Sequence, residues 1–165
     1  MPALDLLATA LSLAGLGPLI AALLGLIALA GYRRRGLVAF VPLAVLIGAT
    51  ALEALLKTVL GHPGPPAELS RTLPLPDWLR FLSPEFGNSF PSGHAFRATF
   101  LLGLAIGGQR ALVWLAAVFA IAMWISRLYA AEHWPSDVAG GSALGLTAAA
   151  GARRGSERAR RASAS

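Results

Sequence analysis

From Leu6 to Ala30 the chain carries no charged residue. A helix crossing the roughly 30 Å hydrocarbon core of a bilayer needs about 20 apolar residues, and this run exceeds that. It has no basic leader, is longer than the apolar core of a signal peptide, and leads straight into Arg33-Arg34-Arg35. It reads as a membrane span. Four more apolar stretches follow: about Leu37 to Leu60, about Ser92 to Gly108, Ala111 to about Tyr129, and Ser136 to about Gly151. The third and fifth spans are short, which implies local bilayer thinning or snorkelling flanks. The expected fold is all-α, a polytopic membrane bundle of about five transmembrane helices made by residues 1–152. Residues 153–165 are expected to be a basic, disordered cytoplasmic tail.

The charges orient this bundle. Lys and Arg number 14 against 8 Asp and Glu, and a basic excess can signal nucleic-acid binding. Here the excess sorts by membrane side instead. With five spans, Arg33, Arg34, Arg35, Arg110, Arg153, Arg154, Arg158, Arg160 and Arg161 fall on one side with a single acid, Glu157. Every other acid falls on the opposite side or at its helix ends. The basic side is the cytoplasmic one. The N-terminus is therefore expected outside and the C-terminus inside, in a multi-pass protein of the cell membrane. The arginine tail then lies beside anionic headgroups rather than on nucleic acid. There is no Cys, which excludes disulfides, thiolate chemistry and a Cys-based metal site.

The polar residues converge on the outer face. The outer loop Gly61–Pro91 ends in Phe90-Pro91-Ser92-Gly93-His94 and enters the third span. The fourth span ends near Ser126-Arg127, His133 follows, and Asp137 opens the fifth. Glu53 and Lys57 close the second span, spaced for an i,i+4 pair in the favourable order. Ionisable groups are costly at membrane depth and usually mark function. Asp137 is one turn from His133, so its carboxylate can accept one ring N–H, fixing the tautomer and stabilising the imidazolium. The plainer role for Asp137 is a first-turn acid complementing the helix dipole. The segment Leu73–Pro84 interleaves leucines, Trp78 and Phe81 with Asp77 and Arg80. It reads as a proline-broken loop, or as an interfacial lip guiding a lipid tail.

These residues resemble the type 2 phosphatidic acid phosphatase superfamily, whose pattern is KxxxxxxRP, PSGH and SRxxxxxHxxxD. Pro91-Ser92-Gly93-His94 is complete, as is Ser126-Arg127 with His133 and Asp137. The first motif starts at Lys57 but has Gly64 where the family has arginine. The resemblance implies a metal-independent, cofactor-free histidine phosphatase. His133 is then the nucleophile, Asp137 its partner and His94 the general acid. Lys57, Ser92, Gly93 and Arg127 hold the phosphoryl group. The implied substrate is a lipid phosphate or pyrophosphate, such as isoprenoid (undecaprenyl) pyrophosphate or a glycerolipid phosphate, drawn from the surrounding membrane lipids. Arg97, one turn after His94, and His62, two residues before the gap, are candidates to replace the absent arginine. For Arg97 the alternative is an ion pair with Glu53. Competing functions are a phosphotransferase or haloperoxidase of the same superfamily, or a non-catalytic member weakened at Gly64. Haloperoxidases of the superfamily are soluble, and retention of both histidines and Asp137 disfavours the non-catalytic reading.

Overall fold

A computed structural model describes residues 2–71 and 87–162. The described residues form six α-helices: α1 (Pro2–Ala14), α2 (Gly17–Arg35), α3 (Val41–Leu60), α4 (Gly93–Ala105), α5 (Arg110–Tyr129) and α6 (Pro135–Ala162). Short 3₁₀ turns lie at Gly36–Phe40 and Ala67–Leu69. The lip segment Leu73–Pro84 lies outside the described residues. Two stretches, Gly17–Leu60 and Arg110–Tyr129, have the length and apolar content needed to cross a bilayer.

Burial is inverted relative to a water-soluble protein. Leu26, Trp114 and Val118 are 66%, 71% and 62% exposed, whereas Arg127 and Asp137 are 0% exposed. A bilayer solvates leucine and tryptophan on a helix surface at no cost, while ionised groups are driven inward to partners. Glu53, Lys57, Arg97, Arg127 and Asp137 consequently occupy the bundle interior.

The expected first span is divided. α1 ends at Ala14, and Leu16 is extended (φ −61°, ψ 136°) before Gly17 begins α2 with Pro18 in its first turn. Proline has no N–H to donate, and its ring clashes with the carbonyl four residues back. Pro18 is compatible with the opening turn of a new helix and not with the interior of a continuous one. Gly15 at the break is also a site of close approach, because a Cβ there would lie 2.7 Å from His94 Cδ2 and Met123 Cε. α1 thereby lies along α5, with Leu11 packed against Ala98, Ala120 and Met123.

A second departure is at the C-terminal end. The tail expected to be disordered continues α6 as helix through Arg161 to Ala162. Alanine, arginine and glutamate are strong helix formers, and Arg160 and Arg161 in the last turn complement the helix dipole.

The bundle is organised around α4, whose Ala95, Phe96, Ala98, Thr99 and Phe100 are at most 1% exposed. Phe96 and Phe100 join Ile20, Leu24, Leu46, Ala49, Ala149 and Ala152 in one core contributed by four helices. α6 meets α4 through glycine. A Cβ on Gly141 would strike the Ser92 carbonyl and come within 3.2 Å of Phe96 N, and one on Gly145 would strike Thr99 and the Phe96 carbonyl. The obstacles are mostly backbone, which cannot turn aside as a flexible side chain can. Gly141→Ala should accordingly destabilise the protein by about 2 kcal/mol through overpacking, read as a lower thermal midpoint in detergent. An unchanged midpoint would show that the two helices can separate freely.

Candidate active site

Each site residue sits at a helix end or in the connection beside one. Ser92 caps α4, its Oγ accepting from Ala95 N at 3.5 Å. Its amide donates to the Asp137 carbonyl at 2.9 Å, which ties the start of α4 to the first turn of α6. Gly93 has no room for a side chain, since a Cβ would collide with the Glu53 carboxylate. The α4 N-terminus thus presents a bare backbone with the helix dipole behind it, an arrangement suited to an anion.

The α5–α6 connection is shaped by a Schellman-type turn. Ala131 takes the left-handed conformation (φ 53°). Glu132 N donates to the Arg127 carbonyl at 3.2 Å and Ala131 N to the Leu128 carbonyl at 3.1 Å. These are the two bonds that define the motif. The turn folds Glu132 back onto Arg127, with which it forms an ion pair, and delivers His133 to the start of α6.

His133 Nδ1 faces Asp137 Oδ2 at 3.5 Å. That oxygen also accepts from Trp134 N at 2.8 Å. Asp137 therefore caps the first turn of α6 and places its carboxylate beside the His133 ring. The separation is long for a hydrogen bond, as catalytic contacts often are before substrate binds. Burial, and then the positive charge of Lys57, push the His133 pKa down from 6.5 to about 4, against the opposing pull of Asp137. The imidazole is therefore neutral at physiological pH.

Two further groupings flank this pair. Lys57 Nζ lies 3.5 Å from Glu53 Oε1, the i,i+4 pair expected from the spacing. The other oxygen of Glu53 accepts from Arg97 Nη1 at 3.2 Å, and Arg97 Nε donates to the Gly15 carbonyl at 2.9 Å. Arg97 is thus found in the paired arrangement, beneath Gly93. On the opposite flank Ser12 joins two site residues. Its carbonyl accepts from His94 Nε2 at 3.1 Å and its hydroxyl from Arg127 Nη1 at 3.0 Å. Arg127 Nη2 donates to the Ala8 carbonyl at 3.3 Å.

Ser12 and Glu132 carried no recognisable signal in the sequence. Ser12 lies in an apolar helix more than eighty positions from His94, and Glu132 looks like a solvated loop acid. A helix-breaking Gly-Leu-Gly-Pro beside Ser12 was the one available hint.

The sequence model of the PAP2 superfamily matches residues 38–161, which include α3, α4 and α5 and nearly all of α6. The chain belongs to the PAP2 superfamily. α1 and α2 precede the matched region, so Ser12 reaches the site from outside it. The chain is 38% identical over 140 residues to a decaprenylphosphoryl-5-phosphoribose phosphatase of Mycobacterium tuberculosis, covering 82% of this chain and 69% of that one. It is also 38% identical over 78 residues to the bacitracin transport permease protein BcrC of Bacillus licheniformis. That match covers 46% of this chain and spans only 37% of the relative's length. Among solved structures, the PAP2-type phosphatidylglycerolphosphate phosphatase of Bacillus subtilis superposes with a TM-score of 0.77 at 23% identity. The superposition covers 96% of this chain and 79% of that one. LpxE of Aquifex aeolicus gives 0.70 at 24% identity, covering 93% and 87%. At these identities the two structures establish the PAP2 fold.

Proposed function

We propose that this chain hydrolyses the phosphate headgroup of a membrane lipid through a phosphohistidine at His133. The observation that carries the reading is the orientation of His133. Its Nδ1 faces the Asp137 carboxylate at 3.5 Å, which turns Nε2 toward the phosphoryl position in this reading, in a site whose Lys57 and Arg127 charges act on the ring. His133 Nε2 bonds to phosphorus as the bond to the lipid oxygen breaks, and that oxygen takes a proton from His94. Water then attacks phosphorus, returns a proton to His94, breaks the P–N bond and releases inorganic phosphate. Asp137 holds the Nδ1 proton throughout and offsets the charge formed on the ring. Lys57, Arg127, the Ser92 hydroxyl and the Gly93 amide neutralise the equatorial oxygens, which is most of what phosphoryl transfer demands.

The proposed topology follows the charges. The arginines at the ends of α2 and α6 and at the start of α5 face the cytoplasm, and the site opens on the exterior. The length and identity of the mycobacterial match favour a phosphomonoester on a polyprenyl-linked sugar over a glycerolipid phosphate. The test is phosphate release by the full chain in detergent, with a chelator present. Three substrates are compared: decaprenylphosphoryl-5-phosphoribose, a polyprenyl pyrophosphate and diacylglycerol phosphate. The first should show the highest kcat/KM. A preference for the pyrophosphate or the glycerolipid would replace the substrate assignment, and no turnover of any of them by folded protein would overturn the function.

A further inference from the structure

The side chain of His62 is 44% exposed, yet its Nε2 atom is buried and has no hydrogen-bond partner. Asp137 Oδ1 is in the same condition. Buried polar atoms are nearly always paired, and these two face each other at 3.4 Å. A closure of about 0.5 Å would make the separation an ordinary hydrogen bond.

The segment carrying His62 is held in place. Its carbonyl accepts from Ser89 N at 2.8 Å, and the neighbouring Pro63 carbonyl accepts from Trp134 Nε1 at 3.1 Å. The His62 ring stands edge-on to Phe90, centroids 6.1 Å apart. Phe90 in turn is wedged against Gly140 of α6, where a Cβ would strike its ring. His62 is therefore tied to the segment leading into α4, to the α5–α6 connection and to α6. It is not a freely solvated loop residue.

We propose that His62 is a positioning residue for the nucleophile: its Nε2–H holds the second oxygen of Asp137, so that the carboxylate stands between two imidazoles with its first oxygen directed at His133. This inference rests on the phosphohistidine reading and deepens it. A carboxylate bound on one oxygen alone can rotate about its terminal torsion, which is broad. Bound on both oxygens, it presents a fixed acceptor to His133 Nδ1. That fixes the reactive tautomer in the way outer-shell partners orient a catalytic imidazole. The N–H of His62 held on Oδ1 also draws off part of the Asp137 charge. The charged groups that act on His133 from the other packed elements are Lys57 of α3, Arg127 of α5, and Glu132 of the α5–α6 connection.

The experiment compares wild type, His133→Ala, His62→Ala, His62→Gln and His62→Asn as full chains in detergent. The substrate is whichever of the three lipids wild type turns over fastest, and thermal midpoints are recorded alongside. His62→Ala should lower kcat about tenfold with KM changed less than about twofold, and should move the acid limb of kcat/KM to higher pH. His62→Gln, whose amide N–H reaches the position of Nε2, should restore kcat and the limb, whereas the shorter His62→Asn should not. Should His62→Ala fail to fold, the ordering of Gln over Asn carries the test. Unchanged kcat and acid limb in His62→Ala, or equal kcat in the Gln and Asn variants, would sink the proposal while leaving the nucleophile untouched. Full activity in His133→Ala would instead remove the phosphohistidine reading beneath it.

Discussion

His133→Ala should lower kcat by at least ~10⁴-fold, the scale seen when a covalent nucleophile is removed and binding alone remains. Phosphate incorporated into the wild-type protein and retained through an alkaline quench should be absent from this variant, because a phosphohistidine survives base and is lost in acid. The pH dependence supplies a second reading of the same residue. A free-enzyme pKa near 4 means that protonation removes the nucleophile only in strong acid. Once the ionisation of the phosphate headgroup itself is divided out, kcat/KM therefore holds its value as pH falls past 6.5, the ordinary histidine value, and declines near 4. An acid limb near 6.5 would mean that His133 is solvated, and that burial and Lys57 do not act on it as the structure indicates. Persistent turnover in His133→Ala would move the covalent step elsewhere.

Arg127 is the second residue whose loss should be severe. Its guanidinium is fully buried and bonded to Glu132, Ser12 and Ala8. A phosphoryl group entering the site competes with Glu132 and Ser12 for those same N–H groups. Arg127→Lys keeps the charge but loses the planar fork, and should cost about 10²-fold in kcat/KM. Arg127→Ala should cost roughly 10³-fold and also lower the thermal midpoint, because the Arg127–Glu132 ion pair is lost. Both variants should bind orthovanadate, a mimic of five-coordinate phosphorus, more weakly than wild type. Wild-type affinity in Arg127→Lys would show that a point charge suffices and that the fork has no part in holding the oxygens.

Much of this was visible in the residues alone. The apolar runs placed α3 and α5 to within a few residues. The PSGH and SRxxxxxHxxxD motifs put His94, Arg127, His133 and Asp137 at one end of the bundle, because helix ends in an antiparallel bundle must alternate faces. The break between α1 and α2 escaped a hydropathy reading, since Gly and Pro interrupt a helix without making it polar. The helical tail escaped for a related reason: a run of like charge suggests repulsion, while its alanines and arginines favour helix. What no pattern could show were contacts between residues distant in sequence. Ser12 with His94 and Arg127, and His62 with Asp137, have no characteristic spacing and exist only once the helices are packed. Glu53 illustrates the limit. Its pairing with Lys57 was legible as one helical turn, whereas its place beneath Gly93 was not.

The near-touching backbones of α4 and α6 have a mechanical consequence. Where Gly141 and Gly145 bring the two helices together, they behave as one fork, with Ser92 and His94 on one tine and Asp137 on the other. Such a fork has no slack, so the gap between His94 and Asp137 is a constant of the scaffold. Headgroups of different bulk must be met by the parts that can give, namely the long side chains of Lys57 and Arg127 and the α1 segment bearing Ser12. Substitutions that retune substrate choice belong there, and the glycine seam is where the protein has the least freedom to change.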